Sequence, residues 1–208
     1  MGRRATLAFA RFDAAELKFC RYLNRSSRSE WVRQPFRAVS WLGDGWIWYA
    51  LILALPLVLG FEGWQASAHV AATGTLGLLL YKLIKSRAVR ERPYITHSVI
   101  ECVSAPLDRY SFPSGHTLHA VSFTILFAHY VPEWIGALAV LALAIALSRV
   151  ILGLHYPTDV AAGALLGGVL GSAIGLRPTL WVAVAGCLVG VLFLLASPMP
   201  QMREEDLA

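Results

Sequence analysis

Charge is what this chain has little of. Asp, Glu, Lys and Arg together make up 15% of its 208 residues, against roughly a quarter in a soluble domain. Hydrophobic residues make up 57%, and the mean hydropathy is +0.57. That imbalance excludes an ordinary water-soluble domain. Cysteine is scarce as well. Cys20, Cys102 and Cys187 lack metal-ligand spacing; Cys20 and Cys102 fall on one side of the expected topology, which leaves a disulfide between them open. No carboxylate cluster is suited to Mg²⁺, so neither a metal nor another cofactor is expected. The first 40 residues are too charged for the apolar core of a cleavable signal peptide. The pI of about 9.4 does not imply a nucleic-acid partner, because the basic residues flank apolar segments.

What is present is a series of long apolar blocks. Residues 46–61, 66–84, 117–131, 134–152, 158–176 and 179–197 are candidate membrane spans, near the lower end of the roughly 17–25 residues that cross the hydrocarbon core. Lipid offers the backbone no other hydrogen-bond partner, so each must be helical. Trp46, Trp48, Trp64, Trp134 and Trp181 lie near their ends, as in an interfacial aromatic belt. The expected fold is therefore all-α, a polytopic membrane bundle of about six transmembrane helices with an N-terminal amphipathic segment. In residues 1–40, Leu7, Phe9, Phe12, Leu17, Phe19 and Leu23 alternate with Arg3, Arg4, Arg11, Lys18, Arg21 and Arg25, the pattern of a surface helix. Residues 41–200 form the membrane domain and 201–208 a polar tail.

Six spans put both termini, the 85–115 loop and the 153–157 turn on one face. All but Arg177 of the 18 Lys and Arg residues then belong to that face or its edge. The positive-inside rule makes it cytoplasmic, in a membrane read as the bacterial inner membrane.

Three polar clusters interrupt the apolar blocks on that face. KSRAVRERP, 85–93, places Lys85 and Arg92 seven residues apart, two helical turns, so both point at one anion if the helix continues; Pro93 then stops it. The same stretch would also serve as a basic membrane edge. SFPSGHT, 111–117, offers Ser114 as a helix cap, with the Gly115 and His116 N–H groups at an anion-attracting N-terminus. An ordinary helix start with an interfacial His reads the same way. SRVILGLHYPTD, 148–159, sets Ser148, Arg149, His155 and Asp159 at a hydrocarbon boundary, where ionisable groups are expensive. His155 and Asp159 are four apart, close enough for a carboxylate to orient an imidazole. A salt bridge neutralising Arg149 is the plainer alternative.

Other features take structural readings. Gly163, Gly167, Gly171 and Gly175 form a stripe that lets a helix approach closely. His119 reads as helix packing or as support for the site, and His69 and His129 as interior or interfacial. His97 and Glu101 could meet a headgroup. Asp44, in LGDG, belongs to an opening turn or caps the first span.

Taken together, Lys-x6-Arg-Pro, Pro-Ser-Gly-His and Ser-Arg-x5-His-x3-Asp closely resemble the three-part signature of the type 2 phosphatidic acid phosphatase (PAP2) superfamily, over residues 85–159. The resemblance implies His155 as the nucleophile that becomes phosphohistidine, Asp159 as its partner, and His116 as the acid for the leaving oxygen and then the base for water. Lys85, Arg92, Ser114, Gly115 and Arg149 would hold the phosphoryl oxygens; Ser148 receives no role. The implied activity is metal-independent hydrolysis of a lipid phosphate or diphosphate, of the phosphatidylglycerophosphate, phosphatidic acid or polyprenyl diphosphate class. Members often act on the extracytoplasmic face, against the charge bias here. Lipid phosphotransfer and non-enzymatic lipid-phosphate binding or transport are the alternatives; six spans argue against a vanadium haloperoxidase, and no convincing internal repeat favours a transporter. The sequence leaves the oligomeric state open.

Overall fold

The computed structural model describes residues 3–106 and 108–175, and all of its regular elements there are helices. The expected sixth span, 179–197, Cys187 and the 201–208 tail lie outside the described residues. In chain order the elements are α1 (Arg3–Ser26), α2 (Glu30–Trp41), a π-helical turn (Leu42–Trp46), α3 (Ile47–Leu59), α4 (Phe61–Lys85), a single turn α5 (Pro93–Thr96), α6 (Gly115–Tyr130), a 3₁₀ turn (Pro132–Trp134), α7 (Ile135–Ile151) and α8 (Pro157–Gly175).

Three stretches are long and apolar enough to cross a membrane: Glu30–Leu59, Phe61–Lys85 and Pro132–Ile151. Their outer faces carry Leu53, Leu57, Leu79, Val140 and Leu143, all exposed, a contiguous apolar surface of the kind that lipid covers. The first stretch begins well before the expected 46–61, because α2 joins α3 across a short kinked turn in which Gly45 takes a non-helical φ of 135°. The expected single surface helix over residues 1–40 is thus two helices. α1 also buries part of itself: Glu16, Cys20 and Asn24 are sequestered, and the Asn24 amide donates to the Glu101 and Ile151 carbonyls at 3.0 and 2.9 Å. Cys20 is buried, Cys102 is exposed, and both are free thiols.

α3 and α4 form a hairpin reversed at Gly60, whose φ of 61° favours glycine. α6 and α7 pack beside it over a core of Trp48, Leu55, Val70, Phe123, Leu126, Phe127 and Ile145, and α8 packs through Leu166 and Leu170 against Ile84 and Leu118. The closest pairing is α6 against α8, and the glycine stripe makes it. A Cβ at Gly163, Gly167 or Gly171 would stand 2.4, 2.3 or 2.9 Å from the carbonyl oxygens of Ser114, Leu118 and Ser122 in turn. These glycines let two backbones touch along three helical turns.

Candidate active site

The starts of α6 and α8 lie side by side in this pairing, and the loop ends around them close a cavity of about 460 Å³. Ser114 caps α6, its Oγ accepting from the Thr117 N–H; its own N–H donates to the Asp159 carbonyl at 3.0 Å, tying the two helix starts together. Pro157 opens α8 at a position where a missing N–H costs nothing. The Arg149 carbonyl accepts the N–H groups of Leu154 and His155, both at 3.0 Å, and so folds the turn that presents His155.

Of the expected residues, Lys85, Arg92, Gly115, His116, Arg149 and His155 line the cavity; Ser114 and Asp159 stand behind its wall. Lys85 and Arg92 converge for a reason other than the expected one. α4 ends at Lys85 and the chain then runs extended, so the two cations do not share a helix. They meet on Asp108, from the loop between α5 and α6. The Lys85 Nζ and Arg92 Nη2 groups each lie 2.9 Å from its carboxylate, and Arg92 Nε donates to its carbonyl at 2.8 Å. Burial alone would lift the Asp108 carboxyl, but the hydrogen bonds and charges of Lys85 and Arg92 hold it below its ordinary value, so it is anionic. Arg149, fully enclosed, donates through Nη1 to Ser40, and its Nε has no partner among the described residues.

His155 is 2% exposed. Its Nε2 lies 3.2 Å from Arg92 Nη1, and Nδ1 lies 3.7 Å from Asp159 Oδ2, beyond hydrogen-bond reach. The Asp159 carboxylate has other partners: it accepts from Arg90 Nη1 at 2.8 Å and from the Tyr156 N–H at 2.8 Å. Arg90 in turn pairs with Glu16 of α1 at 2.7 Å and stacks on the Tyr156 ring. Burial, then the cations Arg149, Arg92 and Lys85, push the His155 pKa well below 6.5 and keep the imidazole neutral. A neutral imidazole with Nε2 turned to the cations is a competent nucleophile for a phosphorus atom held there.

His116 lines the same cavity as His155, and its Nε2 lies 2.6 Å from Asp44 Oδ1. His119 bridges helices, its ring nitrogens 2.9 Å from the Gly115 carbonyl and 3.1 Å from that of Gly74. Asp44, Arg90 and Asp108 are the participants that the motifs did not single out. Arg90 carried a signal, two residues before Arg92 in the first cluster. Glu101 pairs with Arg28 instead of meeting the cavity.

The cavity is charged at this end. Between α3 and α4 it continues along Trp48, Ile52, Leu53, Ala71, Gly74 and Leu78, an apolar slot beside the cations.

A family model described as the PAP2 superfamily matches residues 62–180, more than half of the chain. A decaprenylphosphoryl-5-phosphoribose phosphatase of Mycobacterium tuberculosis is 30% identical over 142 residues, 66% of this chain and 76% of the relative. An undecaprenyl-diphosphatase, BcrC, of Bacillus subtilis is 33% identical over 59% of this chain and 64% of its own length. Among solved structures, Aquifex aeolicus LpxE superposes with a TM-score of 0.65 at 26% identity, covering 74% of this chain and 91% of that one. A PAP2-type phosphatidylglycerolphosphate phosphatase from Bacillus subtilis reaches 0.67 at 22% identity, over 78% and 84%, a likeness of fold. With the three motifs gathered at one cavity and the family model spanning them, the chain belongs to the PAP2 superfamily.

Proposed function

We propose that this protein is an integral-membrane phosphatase that hydrolyses a lipid phosphate or diphosphate through a phosphohistidine on His155. The observation that carries the reading is the cavity's division into a cationic end, with Lys85, Arg92, Arg149 and both histidines, and an apolar slot between α3 and α4. A headgroup reaches the first while its chain lies in the second.

In the reaction, His155 Nε2 forms a bond to phosphorus as the bond to the leaving oxygen breaks, and His116 gives that oxygen a proton. Water then attacks phosphorus, His116 takes its proton, and the N–P bond breaks to release phosphate and neutral His155. Lys85, Arg92, Arg149 and the Gly115 N–H at the α6 start carry the charge that accumulates on the equatorial oxygens. Asp159, with Ser114 behind the wall, sets the pose of the His155 turn. Phosphatidylglycerophosphate, phosphatidic acid and polyprenyl diphosphates all suit the site; the names of the mycobacterial relative and of BcrC point to a polyprenyl-linked substrate, and that of the second Bacillus subtilis protein to phosphatidylglycerophosphate.

The shorter α6, together with α8 and the 179–197 segment, completes a six-span bundle in this reading, in a bacterial cytoplasmic membrane. The basic flanks support a cytoplasmic position for the cavity mouth.

The test is phosphate release by the detergent-purified protein, with EDTA present, on all three lipid classes. The wild type releases phosphate from at least one, and His155→Ala loses about 10⁴-fold or more. Undiminished release by that variant, at equal purity, rejects the nucleophile; phosphate recovered on a second lipid rather than in solution makes the enzyme a transferase.

A further inference from the structure

The turn Leu42–Trp46 kinks the 30-residue stretch Glu30–Leu59, between helices that themselves carry Pro35 and Pro56. Its three central residues, Gly43, Asp44 and Gly45, all line the catalytic cavity. Gly45 holds φ at 135°, a conformation that L side chains rarely adopt. At Gly43, a Cβ would press on His116 Cδ2 at 3.3 Å and on Ile145 at 3.3 Å, so the missing side chain lets the imidazole settle against the backbone. Between them, Asp44 reaches the ring with Oδ1 2.6 Å from Nε2. The kink has an identifiable cause in its glycines, and a carboxylate in the apolar reach of a span calls for a role.

We propose that Asp44 is a positioning residue for the acid–base histidine. Its carboxylate accepts the Nε2–H of His116, fixes the tautomer and ring pose, and stabilises the imidazolium that donates to the leaving oxygen. The inference rests on the phosphohistidine reading above, in which His116 is that acid. Every residue of the GDG triplet then has a part to play. Gly43 makes room for the ring, Asp44 holds its nitrogen, and Gly45 bends the helix so that the carboxylate reaches it. The charged and titratable groups around His116 are Asp44 from the turn, Arg149 from α7, His119 from α6 itself, His155 from the α7–α8 turn, and Lys85 and Arg92 across the cavity. Asp44 is the carboxylate among them that touches the ring, and Asp108 is held by Lys85 and Arg92.

The experiment measures single-turnover phosphoenzyme formation by full-length wild type, Asp44→Asn, Asp44→Glu, His116→Ala and the double variant Asp44→Asn/His116→Ala, across pH. In Asp44→Asn the rate falls about 10²-fold while KM stays within about twofold. The alkaline limb, where His116 loses its proton, moves down by about one unit or more, because the imidazolium has lost its counter-charge. Asp44→Glu recovers part of the rate. In the His116→Ala background the Asn change costs less than about twofold, since Asp44 acts through the missing ring. A full additional loss in that background overturns the proposal in favour of a structural acid, as does an unshifted limb. A fall in KM at unchanged rate overturns it too, marking Asp44 as a competitor of the leaving group. If His155→Ala forms phosphoenzyme normally, the underlying reading fails; if His155→Ala is dead and Asp44→Asn is normal, only the Asp44 inference fails.

Discussion

Asp108 offers Lys85 and Arg92 the same fork of oxygens that a phosphoryl group would bring, with less charge. In the proposed reaction the headgroup would compete with the Asp108 carboxylate for Lys85 and Arg92. A site that must first release an internal anion binds an external one more weakly by the fraction of time it is free. Asp108→Asn, which keeps the shape and removes the charge, is expected to tighten inhibition by vanadate by roughly 3- to 30-fold; unchanged or weaker inhibition would make Asp108 a fixed part of the wall. His155 takes up its proton at lower pH than a surface histidine. Its pKa lies below 6.5 in the folded protein, so the neutral, nucleophilic ring persists as pH falls through 6.5 and is lost only as pH falls through the lower folded value. A ¹⁵N-histidine titration should give a midpoint below 6.5 for this ring, and a midpoint at or above 6.5 would mean that solvent or an anion reaches it. His155 and Asp159 were legible in the sequence as a pair at spacing four. The 3.7 Å gap between them was not, because Arg90 and the Tyr156 N–H compete for the same carboxylate.

Among the elements, the α6–α8 pair depends on backbone contact, and its glycines differ sharply in what they allow. A methyl at Gly167 would meet the Leu118 carbonyl oxygen at 2.3 Å, whereas one at Gly168 meets nothing within 4 Å. Gly167→Ala is expected to destabilise the fold by about 1–3 kcal/mol through overpacking, while Gly168→Ala adds helix propensity, worth up to about 1 kcal/mol. Thermal midpoints in one detergent check the pair; equal shifts would mean that α8 does not press on α6. This packing was readable from the sequence because a period of four is a property of one helix. The capping serine was readable for the same reason, whereas Pro93, expected to stop a helix running past Lys85, opens the single turn α5. Asp44, Asp108 and Arg90 were not, since each works through a partner 72, 23 or 69 positions away. The α4 boundary misled as well: the expected helix past Lys85 gives way to an extended segment, where the Arg90 carbonyl accepts from the Ser111 N–H.

For the whole molecule, the question of orientation reduces to one thiol. Cys102 is exposed in the loop between α5 and α6, on the cavity's side, whereas Cys20 is buried. In a Cys20→Ser/Cys187→Ser variant that retains activity, a membrane-impermeant maleimide should label Cys102 in inverted vesicles and spare it in right-side-out ones, as the basic flanks imply. The reverse pattern would put the mouth outside and make the flanking cations part of the substrate path instead of a topology signal.

The junction of α6 and α8 clamps the chemistry from one side, while the apolar slot is walled by α3 and α4 on the other. The first cannot yield by a methyl group without moving a backbone; the second is built of ordinary side chains such as Ile52, Leu53 and Leu78. Change at those side chains is thus cheap, and change at the α6–α8 glycines costly. Substitutions at Ile52, Leu53 or Leu78 would reshape the slot while leaving the α6–α8 contact, and the groups it holds, where they are.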